Sequence, residues 1–129
     1  MSDLFGNEEK LMKPFTTEEN RDFKVKTFKE VKAYLIEIGQ YHSIDDSLMK
    51  VYASSICDIR KYNAILEIEG DIVLGIKGRK EQHPLVLMRN KSIDTATKLA
   101  SSLGILSLNR KKLDSSNTGN DEDDFAEFD

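Results

Sequence analysis

Residues 43–70, SIDDSLMKVYASSICDIRKYNAILEIEG, decide the fold. The stretch reads as one long amphipathic helix. Ser43 is the expected N-cap, with Asp46 three residues on in a capping-box-like position. Asp45 and Asp46 suit the positive end of a helix dipole. Leu48, Val51, Tyr52, Ser55, Ile59, Tyr62 and Leu66 recur at three- and four-residue spacing and form one stripe about 100° wide. Gly70 is a natural stop. No Pro or Gly interrupts about 26 residues, on the order of 39 Å at 1.5 Å per residue. Roughly opposite the stripe lies a second patch, Ala53, Cys57, Ala64 and Ile68, mixed with Lys50 and Lys61. Two readings of this patch stay open: small exposed residues on a wide core helix, or a second face packed by another subunit. A helix this long in so short a chain is hard to cover from within, so Ala53, Cys57, Ala64 and Ile68 are the expected oligomerisation contacts.

The flanks supply its partners. Residues 27–38 predict a first helix, with Phe28, Val31, Tyr34, Leu35 and Ile38 at helical spacing and Gly39 as its stop. Gln40 to His42 form a short turn that permits an antiparallel pair. A helix-turn-helix reading fits poorly, because the second helix is long and its stripe apolar. After Gly70, the short β-branched run Ile72 to Gly78 predicts a strand or small hairpin as connector. Pro84 sits well as the first residue of a third helix. Leu85, Met88, Ser92, Ala96, Leu99 and Leu103 give it an apolar stripe, and Gly104 ends it. This helix is long enough to run back along 43–70 as an antiparallel partner. Ser107 is expected to cap one final turn, Leu108 to Leu113. The fold class is therefore mainly α: a short first helix, a long antiparallel helical hairpin with a small strand-like connector, and a short C-terminal helix.

Charge divides the 129 residues into three expected regions. Residues 1–23 carry three bases against six acids and read as a flexible acidic N-terminal arm. Residues 24–113 hold 16 bases and 10 acids, a net +6, and read as the helical DNA-binding and oligomerisation domain. Residues 114–129 carry seven acids and no base and read as a disordered acidic tail. A basic body between acidic ends suits a polyanion partner; charge segregated into tails for solubility is the plainer account. Lys77, Arg79 and Lys80 share one turn, and Arg110, Lys111 and Lys112 another. Both trios are expected DNA contacts. Lys24, Lys26, Lys29 and Lys32 are either a solvated face or a phosphate-contacting strip. In the tail, Phe125 and Phe128 stand among acids beside Asp124, as either an inert acidic run or a short binding motif.

Catalytic patterns are missing from the sequence. It holds no H-E-x-x-H, C-x-x-C or G-x-S-x-G, and no phosphate-binding loop with its Gly-Lys-Ser or Gly-Lys-Thr close. Cys57 is the one cysteine and reads as a packing residue; His83, before Pro84, reads as a helix-start residue rather than a metal ligand. No apolar run reaches the roughly 18 residues a membrane span needs, and residues 1–20 lack the apolar core of a signal peptide. The expectation is a cytoplasmic binding protein, not an enzyme, with no cofactor, no metal and no membrane partner.

The pattern from Ser43 to Leu113 resembles the small terminase subunits of tailed bacteriophages, of the P27 type. The resemblance rests on several features in order. A long helix contains Tyr52-Ala53 and Tyr62 and ends at Gly70. The connector Ile72 to Gly78 follows. His83-Pro84 then opens a helix ending Leu99-Ala100-Ser101-Ser102-Leu103-Gly104-Ile105, and the chain closes on Leu106-Ser107-Leu108-Asn109-Arg110-Lys111-Lys112-Leu113. The family usually has proline where Leu108 stands. About 70 of the 129 residues are covered. The resemblance implies a non-catalytic homo-oligomeric ring that binds double-stranded viral DNA. It implies delivery of that DNA to the large terminase subunit, which holds the ATPase and nuclease, in the host cytoplasm and outside the mature virion. Asp124, Phe125 and Phe128 are then the expected contact with the large subunit. Two other classes fit the same residues: a small dimeric helical regulator of transcription, and a helical adaptor with no nucleic-acid role.

Overall fold

Thr16 starts the fold. Its hydroxyl accepts the Glu19 N–H at 3.0 Å, and Glu18 and Glu19 occupy the positive first turn. The helix it opens, α1 (Thr17–Glu37), begins ten residues before the expected start at Thr27, so residues 17–23 of the expected flexible acidic arm are helical instead. The apolar period alone underestimates it, because its first turns are mostly polar and are fixed by the cap and by Phe23. The computed structural model describes residues 14–75 and 77–117.

The long helix is present as α2 (Asp46–Glu69), but its start differs from expectation. Ser43 does not cap it; Ser43–Asp45 form one turn of 3-10 helix. Asp45 already has helical backbone angles, which point its carboxylate away from the free N–H groups. The Asp46 carboxylate instead accepts the Tyr41 hydroxyl at 2.9 Å. At the far end Gly70 has φ +83° and ψ 159°, a region essentially reserved for glycine, and this breaks the helix cleanly.

The connector is a two-stranded antiparallel hairpin, β1 (Ile72–Leu74) and β2 (Lys80–Gln82), with Ile72 opposite Gln82 and Leu74 opposite Lys80. His83 then caps α3 (Pro84–Leu103): its Nδ1 accepts the Leu85 N–H at 3.1 Å, with Pro84 pre-set for the first turn. Its Nε2 lies 3.4 Å from Glu69, tying the two helix ends across the hairpin. Gly104 closes α3 in the left-handed region (φ +78°), with the Ile105 N–H reaching back to the Ala100 carbonyl at 2.9 Å. The last helix, α4 (Leu106–Asn117), begins at Leu106. Ser107 lies inside it rather than capping it, and four further residues continue it past Leu113.

α2 is the centre. It packs on α1, α3 and α4. The main core joins Val31 and Leu35 of α1, Met49, Tyr52, Ile56 and Ile59 of α2, Ala96, Ala100 and Leu103 of α3, and Ile105. Ala96 and Ala100 are fully buried, and their small side chains let α2 and α3 approach closely. A smaller core of Ile65, Leu66, Leu85 and Val86 sits toward the hairpin.

The buried arc of α2 is rotated from the expected stripe. Leu48 and Val51 are exposed, while Met49, Ala53, Ile56 and Cys57 are buried. From Ser55 round to Cys57 the arc covers roughly 200° at 100° per residue. Met49 and Ile56 lie between the expected stripe and the second patch and merge the two. α1 covers the patch: the Cys57 thiol donates to Asn20, whose Oδ1 lies 3.6 Å from Sγ. With Ala53 and Cys57 at 1% and 0% exposure, neither offers surface to a second subunit. Ala64 is half-buried. Ile68 is 80% exposed; the start of α1 lies beside Lys61, Tyr62 and Ile65, one turn short of it.

α4 is fixed to this frame by a buried pair. The Tyr52 hydroxyl donates to Asn109 Oδ1 at 2.7 Å, and both residues are buried. Tyr52→Phe leaves the Asn109 oxygen buried without its donor. Urea unfolding of the variant is expected to show a loss of about 1–3 kcal/mol, with Asn109→Ala adding little to it in the double variant.

Candidate nucleic-acid interface

Cations from separate stretches of sequence meet where α1, α2 and α4 come together. Lys26 of α1, Arg60 of α2, and Lys111 and Lys112 of α4 line one cleft of about 480 Å³. Phe23, Thr27, Ile56 and Leu108 complete its walls, and Glu30 is the one carboxylate among the lining residues. Lys112 is mostly buried and forms an ion pair with Glu30, so it fastens α4 to α1. Lys26 and Lys111 are exposed.

Arg60 is the most constrained of the four. Its guanidinium lies between two aromatic rings, 3.8 Å from the centroid of Phe15 and 4.1 Å from that of Phe23. A guanidinium is planar and weakly hydrated, so stacking costs it little solvation while its charge faces both π clouds. Its Nε is buried and has no hydrogen-bond partner among the described residues. Nothing in the sequence around Arg60 singles it out. Its partners stand 37 and 45 residues earlier in the chain, and no local spacing announces such a contact.

The expected DNA contacts are distributed unevenly. Lys77, Arg79 and Lys80 are all exposed on the hairpin, and Lys80 lies on β2 opposite Leu74. This trio stands at the opposite end of the α2–α3 pair from α4; ten residues of α2, about 15 Å at 1.5 Å each, separate Arg60 from Gly70. Exposed apolar residues surround it: Ile68, Ile72, Leu74, Leu87 and Met88. The α4 trio is divided, with Arg110 and Lys111 exposed and Lys112 paired to Glu30. The four lysines of α1 do not form one strip. Lys24 faces Lys61 and Tyr62; Lys26 faces the cleft. Lys29 lies with Val25 and Ala33 on an outer face that Lys26 also borders, and the Lys32 ammonium sits 5.1 Å from the Tyr41 ring centre. Asp124, Phe125 and Phe128 lie outside the described residues.

Two reactive side chains, Cys57 and Tyr52, lie in the core. Cys57 is buried and burial raises its thiol pKa, so it stays protonated. Burial likewise pushes the Tyr52 hydroxyl well above its ordinary range. Among the described residues, no three His, Cys, Asp or Glu side chains come together as a metal would need, and no helix is long and apolar enough to cross a membrane.

Replacing Arg60 tests the stacking directly. Arg60→Ala is expected to lower stability by about 1–3 kcal/mol in urea unfolding, given about 0.5–2 kcal/mol per cation–π contact. Arg60→Lys restores only part of this, because an ammonium cannot stack flat on either ring.

Comparison with known proteins adds the family. Among curated proteins and solved structures, none matches this chain significantly. The family model for the phage terminase small subunit matches residues 25–120, from the first third of α1 through α4. The matched span contains the long helix, the hairpin, α3 and the cationic last helix, so the features that shape the cleft lie almost wholly within it. The chain belongs to the phage terminase small-subunit family.

Proposed function

We propose that this chain is a non-catalytic subunit that binds double-stranded viral DNA, assembles with copies of itself into a ring, and recruits or stimulates the large terminase subunit during genome packaging in the host cytoplasm. The observation that carries the DNA reading is the convergence of Lys26, Arg60, Lys111 and Lys112 around one cleft that holds one carboxylate. Like charges held together repel unless an anion joins them, so such clustering is the electrostatic footprint of a polyanion site. The exposed trio Lys77, Arg79 and Lys80 is a second contact surface, and its distance from the cleft suits a long partner rather than a small one. DNA is recognised here through phosphates: Lys and Arg dominate, and phosphate contacts position a duplex without reading its bases.

Self-assembly is supported by apolar surface that one copy leaves uncovered. Ile68, Ile72, Leu74 and Leu87 are each more than half exposed around the hairpin, as is Ile44 just before α2, and Val51 near the start of α2 is half exposed. Side chains of this kind in clusters mark interaction sites. Ile68, and Ala64 beside it, remain candidate subunit contacts; the large subunit is assigned to Asp124, Phe125 and Phe128.

Two measurements test the proposal. Light scattering of the purified chain at micromolar concentration is expected to give a mass of several subunits; a monomer overturns the ring. In DNA titrations at varied salt, the triple variant Lys77→Ala, Arg79→Ala, Lys80→Ala is expected to bind more weakly and with a flatter salt dependence. Each lost phosphate contact removes about 0.9 from the slope. An unchanged slope removes the hairpin from the interface.

A further inference from the structure

A duplex backbone offers a protein charge and hydrogen-bond acceptors but little apolar surface. The cleft between α1 and α4 has cations on its rim and also Phe23, Ile56 and Leu108 in its walls. Its volume of about 480 Å³ lies within the roughly 300–1,000 Å³ typical of sites that enclose a compact group. The matching ligand is an aromatic side chain flanked by carboxylates, since the ring fills the apolar part and the acids meet Lys26, Arg60 and Lys111.

The chain carries such a segment. Residues 121–129 read DEDDFAEFD, six acids and two phenylalanines with no base. α4 forms one wall of the cleft and leads toward this segment. Phe125 lies eight residues beyond Asn117, and eight extended residues reach up to about 26–29 Å. Asn117 is six residues past Lys111, about 9 Å along the helix axis. The segment therefore has ample length to fold back. Tethering at this length gives an effective concentration near millimolar. A contact with a Kd of only about 100 μM would then be closed about ten times as often as open.

We propose that the cleft docks the chain's own acidic segment Asp121–Asp129, with Phe125 or Phe128 against Phe23, Ile56 and Leu108 and the carboxylates against Lys26, Arg60 and Lys111. While docked, the segment withholds these cations from DNA; this regulatory half rests on the DNA reading above, and the docking half does not. A large subunit that captures the same phenylalanines would open the cleft as it binds.

The test uses the full chain with a photo-crosslinking benzoylphenylalanine in place of Phe125. Irradiation is expected to join position 125 to peptides containing Phe23–Thr27 or Leu108–Lys112. The yield is expected to fall severalfold in Lys26→Glu with Lys111→Glu, and again in 0.5 M salt. Both lysines are exposed, and the salt arm needs no substitution. Crosslinks only elsewhere, or a yield insensitive to both changes, overturn the docking. In a second arm, Phe125→Ser with Phe128→Ser is expected to tighten DNA binding about tenfold, the factor by which the closed state masks the site. Unchanged affinity, with the wild-type chain binding DNA, overturns the regulation. Crosslinking without DNA binding by either form leaves the docking standing and removes the DNA reading instead.

Discussion

A helix 24 residues long, buried over more than half its circumference, cannot be covered by one neighbour. This constraint shapes the rest of the chain. α3 runs back along it from the hairpin, α1 covers the side bearing Ala53 and Cys57, and α4 closes on Tyr52. Each partner meets α2 through a specific contact as well as burial: His83–Glu69 for α3, Cys57–Asn20 for α1, and the Tyr52–Asn109 hydrogen bond for α4. Coverage by α1 ends near Ile65. Beyond Tyr62, Ile65 and Leu66 of α2 are buried against Leu85 and Val86 of α3, while Ile68 and the hairpin residues Ile72 and Leu74 keep apolar side chains in solvent.

The same arrangement gathers charge. α4 is a cationic helix, and it brings Lys111 and Lys112 beside Lys26 of α1 and Arg60 of α2, an unfavourable grouping in isolation. Glu30 offsets it by pairing with Lys112, and Phe15 and Phe23 offset it by taking the Arg60 guanidinium between them. Neither device reaches Lys26 or Lys111; Glu19 and Asp22 border an adjoining hollow with Lys26 and Arg60. A protein that tolerates such a concentration of positive charge gains most when an anion occupies it, whether a duplex or an acidic peptide. The hairpin trio is different in kind: it is solvated, distant from the cleft, and set among apolar residues rather than over them.

Most of the fold was legible in the residues themselves. Pro84, Gly104 and the stripe between them marked α3 to the residue, and Gly70 marked the end of α2. Local chemistry controls such boundaries: a proline that lacks an N–H, or a glycine in a backbone region closed to other residues. Starts governed by competing hydrogen bonds were harder. Ser43 and Asp46 have the composition of a cap, but Tyr41 engages Asp46 and the backbone at Asp45 is already helical. The apolar spacing of α2 points about a quarter turn away from its buried arc, since Leu48 and Val51 are exposed while Met49 and Ile56 are buried.

By itself, then, the sequence determined the helical class, the order of elements, the hairpin between α2 and α3, and which segments carry positive charge. These follow from spacing and from backbone chemistry that act over a few residues. Only the tertiary structure decided that Ala53 and Cys57 are covered from within, that Lys24 and Lys32 of α1 meet different neighbours from Lys26 and Lys29, and that Arg60 lies against Phe15 and Phe23. It also decided that Lys26 and Lys111, 85 residues apart, face one another across a cleft. Such contacts depend on the rotation of each helix about its axis, which is set by the packing of all its neighbours at once and leaves no periodic trace in the chain.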